Sequence, residues 1–251
     1  MNIDLTGQVV AITGASSGIG EATALAAAEA GAAVALAARR ADRIEALAQR
    51  IADGGGQAIA VPTDVSQEDQ AGAFIRRAKE ELGRLDVVIN NAGLMLLGPV
   101  PGADTDEWRR MVDVNLYGVL YTTHAALPIL LDNDPPARGH IVNVSSVAGR
   151  RASAGSGVYN ATKFAVNAFS EALRQEVTAE GIRITLIEPG AVATELRDHN
   201  RPEIQKEMDE RFAGVKPLEA QDIANAIIYA IGQPEYVSIN EVLVRPTKQV
   251  R

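Results

Sequence analysis

Cysteine is absent from the 251 residues of this chain. That excludes disulfides, thiolate-held zinc, Cys-ligated iron–sulfur clusters and a cysteine nucleophile. Long apolar runs are absent too. No stretch reaches the roughly 18 uninterrupted apolar residues from which a membrane helix is read. The first seven residues carry no basic segment leading into a long apolar one, so a signal peptide is not expected and a cytoplasmic placement is. Lysine is scarce, and 32 acidic against 24 basic residues leave a formal net charge of −8, which argues against nucleic acid as the main partner. The three histidines, His124, His140 and His199, stand at no metal-ligand spacing and are read as structural or solvent-facing, so no metal is expected. Trp108 is the one tryptophan and is read as a packing residue.

What is present is alternation. Apolar runs at 9–13, 33–38, 58–62, 86–90, 141–145, 184–188 and 242–244 read as strands, several of them continuously apolar as in strands covered on both faces. Helical periodicity fills the intervals. Over 66–83, Ala71, Phe74, Ile75, Ala78 and Leu82 recur on one face, with Ser66 expected as the cap and Gly83 as the stop. Over 158–180, Ala165, Phe169, Ala172 and Leu173 do the same before Gly181. Strict β-α alternation predicts one α/β domain spanning 1–251, doubly wound, with a mostly parallel seven-stranded sheet and helices on both faces. Residues 132–139 read as a polar, proline-containing loop. Residues 195–216 hold the one long charged stretch between strands. It lies just past a strand's carboxyl end, so it is expected to form a mobile cover on the substrate side of a site, the alternative being a solvated surface helix.

The first strand runs into Gly14-Ala15-Ser16-Ser17-Gly18-Ile19-Gly20, and an alanine-rich helix follows. Strand, glycine turn and helix start together make a Rossmann-type anion site, because the backbone approaches a pyrophosphate closely and free helix N–H groups point at it. The same residues fit the G-x-S-x-G elbow of a hydrolase. An elbow on the first strand is misplaced for that fold and leaves Gly20 unexplained. In NAD-preferring sites an acid about 20 residues on binds the ribose 2′-hydroxyl. Here Ala37 and Ala38 occupy that stretch and Arg39-Arg40 follow, which suits a 2′-phosphate and therefore NADP(H). The plainer alternative is two solvated arginines opening a helix.

Tyr159 and Lys163 lie four residues apart on a predicted helix and share a face. A free phenol titrates near ~10 and is a poor acid–base group at neutral pH. A neighbouring ammonium is expected to lower that value. Ser146 ends a predicted strand and is placed to hydrogen-bond a substrate oxygen, although Ser145 and Ser146 also suit plain turn chemistry.

Thr13-Gly14-x-x-x-Gly18-x-Gly20, Asn90-Asn91-Ala92-Gly93, Asn115, Ser146, Tyr159-x-x-x-Lys163 and Pro189-Gly190, in that order, resemble the short-chain dehydrogenase/reductase family over nearly the whole chain. The resemblance implies a carbonyl reductase or alcohol dehydrogenase. Tyr159 would be the general acid and Ser146 would polarise the carbonyl. Lys163 would hold the nicotinamide ribose and depress the tyrosine, and Asn115 would hold a relay water. Asp64 and Val65 would sit against adenine. Asn91, Ala92 and Gly93 would line the cofactor, and Pro189, Gly190, Val192 and Thr194 its nicotinamide side, with Ser16, Ser17 and Ile19 in the glycine turn. The resemblance further implies a small-molecule carbonyl or alcohol substrate and a homo-oligomer, tetramer or dimer, built on the Tyr159 helix and its predecessor. Residues 95–100, 166–171, 194–197 and 245–247 look like the clavulanate dehydrogenase and serine 3-dehydrogenase-like branch. Arg150 or Arg151 stands where a substrate carboxylate would approach, with a solvated loop arginine as the alternative.

Overall fold

The computed structural model describes residues 3–134 and 138–250, so 135–137 of the polar loop lie outside the described residues. Seven strands form one sheet, all parallel, in the order β3-β2-β1-β4-β5-β6-β7. They are β1 (Val9–Thr13), β2 (Ala33–Ala38), β3 (Ala58–Pro62), β4 (Val87–Asn90), β5 (Gly139–Val144), β6 (Ile182–Pro189) and β7 (Glu241–Val244). The expected strands are all there. The fifth and sixth begin two residues earlier than their apolar runs because Gly139 and Ile182 pair with each other in register.

Alternating side chains divide the core between two helical layers. Val10, Ile12, Val34 and Leu36 pack under α1 (Gly18–Glu29), α2 (Ala41–Asp53) and α8 (Ala220–Ile231). Ala11, Ala35, Ala37 and Val88 face the other way, under α3 (Glu68–Leu82), α5 (Gly118–Leu131) and α6 (Gly157–Val177). Phe74 of α3 is fully buried in that second layer, where truncating such a ring costs about 3–5 kcal/mol. Gly83 stops α3 in the left-handed conformation, as expected. Ser66 does not cap it. Its N–H and hydroxyl both donate to Asp64, at 3.0 and 2.7 Å, and Gln67 takes the cap position, because an Asx turn closes locally before the helix begins.

The helix α4 (Thr105–Val112), capped by the Asp104 carboxylate, runs through a π-helical turn at Asp113–Tyr117 directly into α5. The resulting 27-residue helix has a stretch of mean hydropathy 1.3 that is long and apolar enough to cross a membrane, of which 39% is buried in the fold. Its inner face lies on the sheet, and its exposed positions are charged at the start, at Asp106, Arg109, Arg110 and Asp113, and carry Tyr117, His124 and Leu131 further on. The strand order reverses between β1 and β4, and the carboxyl ends of those two strands open a crevice, the usual ligand position in such sheets.

Candidate active site

The glycine turn is built by close packing. Gly14 and Gly18 hold φ of 67° and 57°, the left-handed region that a side chain disfavours. A Cβ on Gly14 would lie 2.8 Å from the Ala92 Cα, and one on Gly20 would lie 2.3 Å from the Gly14 carbonyl oxygen. Asn91 locks this contact by donating to the carbonyls of Thr13 and Gly14 at 3.0 and 3.2 Å. The Thr13 hydroxyl accepts from the N–H groups of Asn91 and Ala92. Ser17 precedes α1 without capping it through its side chain, so first-turn N–H groups face the crevice with Ser16 and Ile19 beside them. A phosphate fits that cradle.

The two arginines after β2 differ. Arg40 folds back onto the turn, donating to the Ser16 hydroxyl at 2.9 and 3.1 Å and to the Ser17 hydroxyl at 2.8 Å. Arg39 lines the rim, exposed. Arg40 and Arg43 both pair with Glu195, at 2.7 and 2.6 Å, and these pairs hold the Glu195 carboxyl down at about 2. Asp64 lines the cleft while its carboxylate holds Ser66, so it serves the turn as well. Val65 beside it packs against Gly118.

The cleft, about 950 Å³, runs from the glycine turn to Tyr159. Asn91, Ala92 and Gly93 line one wall, and Pro189, Gly190, Val192 and Thr194 the other. Past Thr194 come a 3₁₀ turn (Glu195–His199) and α7 (Pro202–Arg211), so the charged segment lies along the cleft, contributing Met208, Phe212, Val215 and also His199.

At the far end Ser146 follows β5, and its hydroxyl accepts from the Ala148 N–H at 3.0 Å. Tyr159 and Lys163 occupy successive turns of α6, both buried. Burial pushes the Tyr159 phenol up to about 12, partly offset by a hydrogen bond with Ser146. Burial pushes Lys163 down to about 8. Its ammonium donates to the Val144 carbonyl at 3.0 Å and stands 5.9 Å from the Tyr159 ring centre. The expected lowering of the phenol by the lysine is therefore not met. Desolvation of the phenolate dominates, and the influence opposing it is the Ser146 hydrogen bond. Asn115 sits in the π turn, where its amide accepts from the Leu94 N–H at 2.7 Å and donates to the Leu94 carbonyl and the Thr162 hydroxyl. It thereby ties the loop after β4 to the helix of Tyr159.

Sequence reasoning assigned no individual role to Thr13, Asn167 or Glu188. Ser145 donates to Asn167 at 2.6 Å, and Asn167 donates to Glu188 at 2.8 Å. Glu188 is wholly buried and grips Arg150, which also pairs with Glu241. Arg150 is thus committed within the fold, and Arg151 is the one of the two that lines the cleft. The only signal available was a lone acid inside an apolar strand.

The family model described as short chain dehydrogenase matches residues 8–205. An uncharacterized oxidoreductase of Staphylococcus saprophyticus is 44% identical over 246 residues, covering 96% of this chain and 97% of the relative. The closed form of a serine dehydrogenase complexed with NADP+ superposes with a TM-score of 0.89 at 30% identity, covering 97% of each chain. An alcohol dehydrogenase of the archaeon Thermococcus sibiricus, complexed with 5-hydroxy-NADP, does so at 0.85 and 31%, covering 97% of this chain and 98% of the other.

Proposed function

The chain belongs to the short-chain dehydrogenase family, and from that premise we propose that it is an NADP(H)-dependent reductase of ketones or aldehydes, working through Tyr159. One observation carries the reading. A buried, neutral phenol and the Ser146 hydroxyl share the far end of a cleft whose near end is a phosphate cradle. The cradle and the Arg40–Ser16–Ser17 cluster suit a pyrophosphate and a 2′-phosphate respectively. When bound, the dinucleotide supplies or accepts the hydride. The chain supplies the rest.

With its proton held to about 12, Tyr159 is a donor throughout the neutral range, and it delivers that proton to the substrate oxygen. Ser146 orients and polarises the same oxygen. Lys163, anchored on Val144, presents a cation beside the phenol for the nicotinamide ribose. Asn115 fixes the loop at Leu94 and the register of Thr162 against it. The substrate is a small carbonyl or alcohol compound. Residues 195–216 serve as its cover.

The π turn before α5 and the outward face of α6 carry Tyr117 and Phe164, each 43% exposed, with Tyr117 stacked on Tyr121 of α5. We assign that apolar face to a second copy of this chain rather than to a membrane.

Following NADPH oxidation against a panel of ketones and aldehydes tests the reading. Wild type should turn over at least one, and Tyr159→Phe should lower that rate by about 100-fold or more while binding NADPH nearly as well. Undiminished turnover by the phenylalanine variant would refute it.

A further inference from the structure

The ion pairs of Glu195 find no role in the reading above. Arg40, the residue before α2, and Arg43 on its first turn make a donor-rich patch, with Ser16 and Ser17 held against Arg40. A single carboxylate fills it. Glu195 Oε2 lies 2.7 Å from Arg40 and Oε1 lies 2.6 Å from Arg43, so one anion bridges two guanidinium groups. The carboxylate comes from far along the chain, 155 residues from Arg40. It is the first residue of the 3₁₀ turn that leads into the cover. Thr194, just before it, rests on the glycine turn, where a Cβ on Gly18 would meet the threonine methyl at 3.0 Å.

We propose that Glu195 is an internal stand-in for the cofactor's 2′-phosphate, and that binding of that phosphate displaces it and frees the start of the cover. The inference rests on the NADP(H) reading. The same arginines cannot satisfy both anions at full strength, since a carboxylate bridging them occupies the donors that a phosphate would use. Arg43 becomes a second residue determining cofactor specificity, acting beside Arg40. The coupling is reciprocal: whatever the latch subtracts from 2′-phosphate affinity, phosphate binding returns as loosening of residues 195–211. NAD(H), with no 2′-phosphate, has no means to open it.

The whole protein is titrated calorimetrically with 2′,5′-ADP and with 5′-AMP, as wild type and as Glu195→Gln. Hydrogen exchange over residues 195–211 is followed in parallel. Wild type should prefer 2′,5′-ADP. Glu195→Gln should bind 2′,5′-ADP about two- to tenfold more tightly, a range set by the small worth of exposed ion pairs, with 5′-AMP affinity unchanged. In wild type, 2′,5′-ADP and not 5′-AMP should speed exchange over 195–211. Unchanged or weaker 2′,5′-ADP binding by Glu195→Gln overturns the latch. Tighter binding without faster wild-type exchange also overturns it, because Glu195 is then only a repelling charge. A wild type that binds both nucleotides equally overturns the NADP(H) reading itself, a result independent of the variant.

Discussion

Arg150 reaches across the loop after β5 and holds Glu188 of β6 through its Nε, at 2.8 and 2.7 Å from the two carboxylate oxygens. Glu188 has no exposed side-chain surface, whereas Arg150 is 41% exposed. The pair therefore anchors the far end of the loop that begins with Ser146. Glu188→Ala should lower stability by about 1–3 kcal/mol, less than a fully buried pair because the freed arginine regains water. It also strips Asn167, and through it Ser145, of a fixed partner. Urea unfolding together with kcat measures both effects. A variant of wild-type stability would show that the pair is idle.

Lys163 is a buried cation held by one carbonyl, and this sets a pH dependence. Its pKa falls from an ordinary 10.5 to about 8 through burial. Between those values the unfolded chain keeps a proton that the folded chain has released. Stability from this group therefore rises with pH across the window, by about 3 kcal/mol in all. Tyr159 acts oppositely, but only above its ordinary 10, where the unfolded phenol ionises first. In cofactor-free protein, the stability difference between wild type and Lys163→Met should shift towards wild type by about 3 kcal/mol from pH 8 to pH 10.5. Tyr159 is common to both and cancels. A flat difference in urea midpoints would contradict the burial argument.

These features differ in how openly the residues announce them. The sheet was legible because strands covered on both faces must be largely apolar, and β1 runs Val-Val-Ala-Ile before it ends at Thr13. The glycine turn and the Tyr159–Lys163 pair were legible because each lies within one local element, where spacing fixes direction. Glu195 meeting Arg40, or Asn167 meeting Glu188, depends on how elements distant in the chain pack together, and no local pattern encodes that. The π turn at Asn115 was hidden for another reason: an asparagine inside an apolar helix reads only as a poor helix former. Ser66 misled because two adjacent turn chemistries competed and Asp64 captured it.

Arg39 and Arg40 are neighbours in the sequence, and the fold separates them. Arg40 makes three hydrogen bonds to Ser16 and Ser17, whereas Arg39 stands at the rim. Arg40→Asp should therefore weaken NADPH binding by about tenfold or more, the worth of a charge-assisted hydrogen bond. Arg39→Asp should weaken it less. NADPH and NADH dissociation constants for both variants decide the point, and a larger loss in the Arg39 variant would reverse the assignment.

His140 supplies the acid limit of the fold. It is buried in β5, with Nε2 2.6 Å from the Thr185 hydroxyl. That hydroxyl already donates to the Ile239 carbonyl, so its oxygen must accept from His140, and the imidazole proton sits on Nε2. Nδ1 is left as a bare acceptor with no partner among the described residues. Burial first, and then the charge of Arg183, hold its pKa well below 6.5. Below pH 6.5 the unfolded chain therefore takes up a proton that the folded chain refuses, and stability falls as pH falls, by up to about 1.4 kcal/mol per pH unit. His140→Gln keeps a donor for Thr185 and removes the titration. Its urea midpoint should drop less than that of wild type between pH 7.5 and pH 5. Equal drops would place the acid sensitivity on the carboxylates instead.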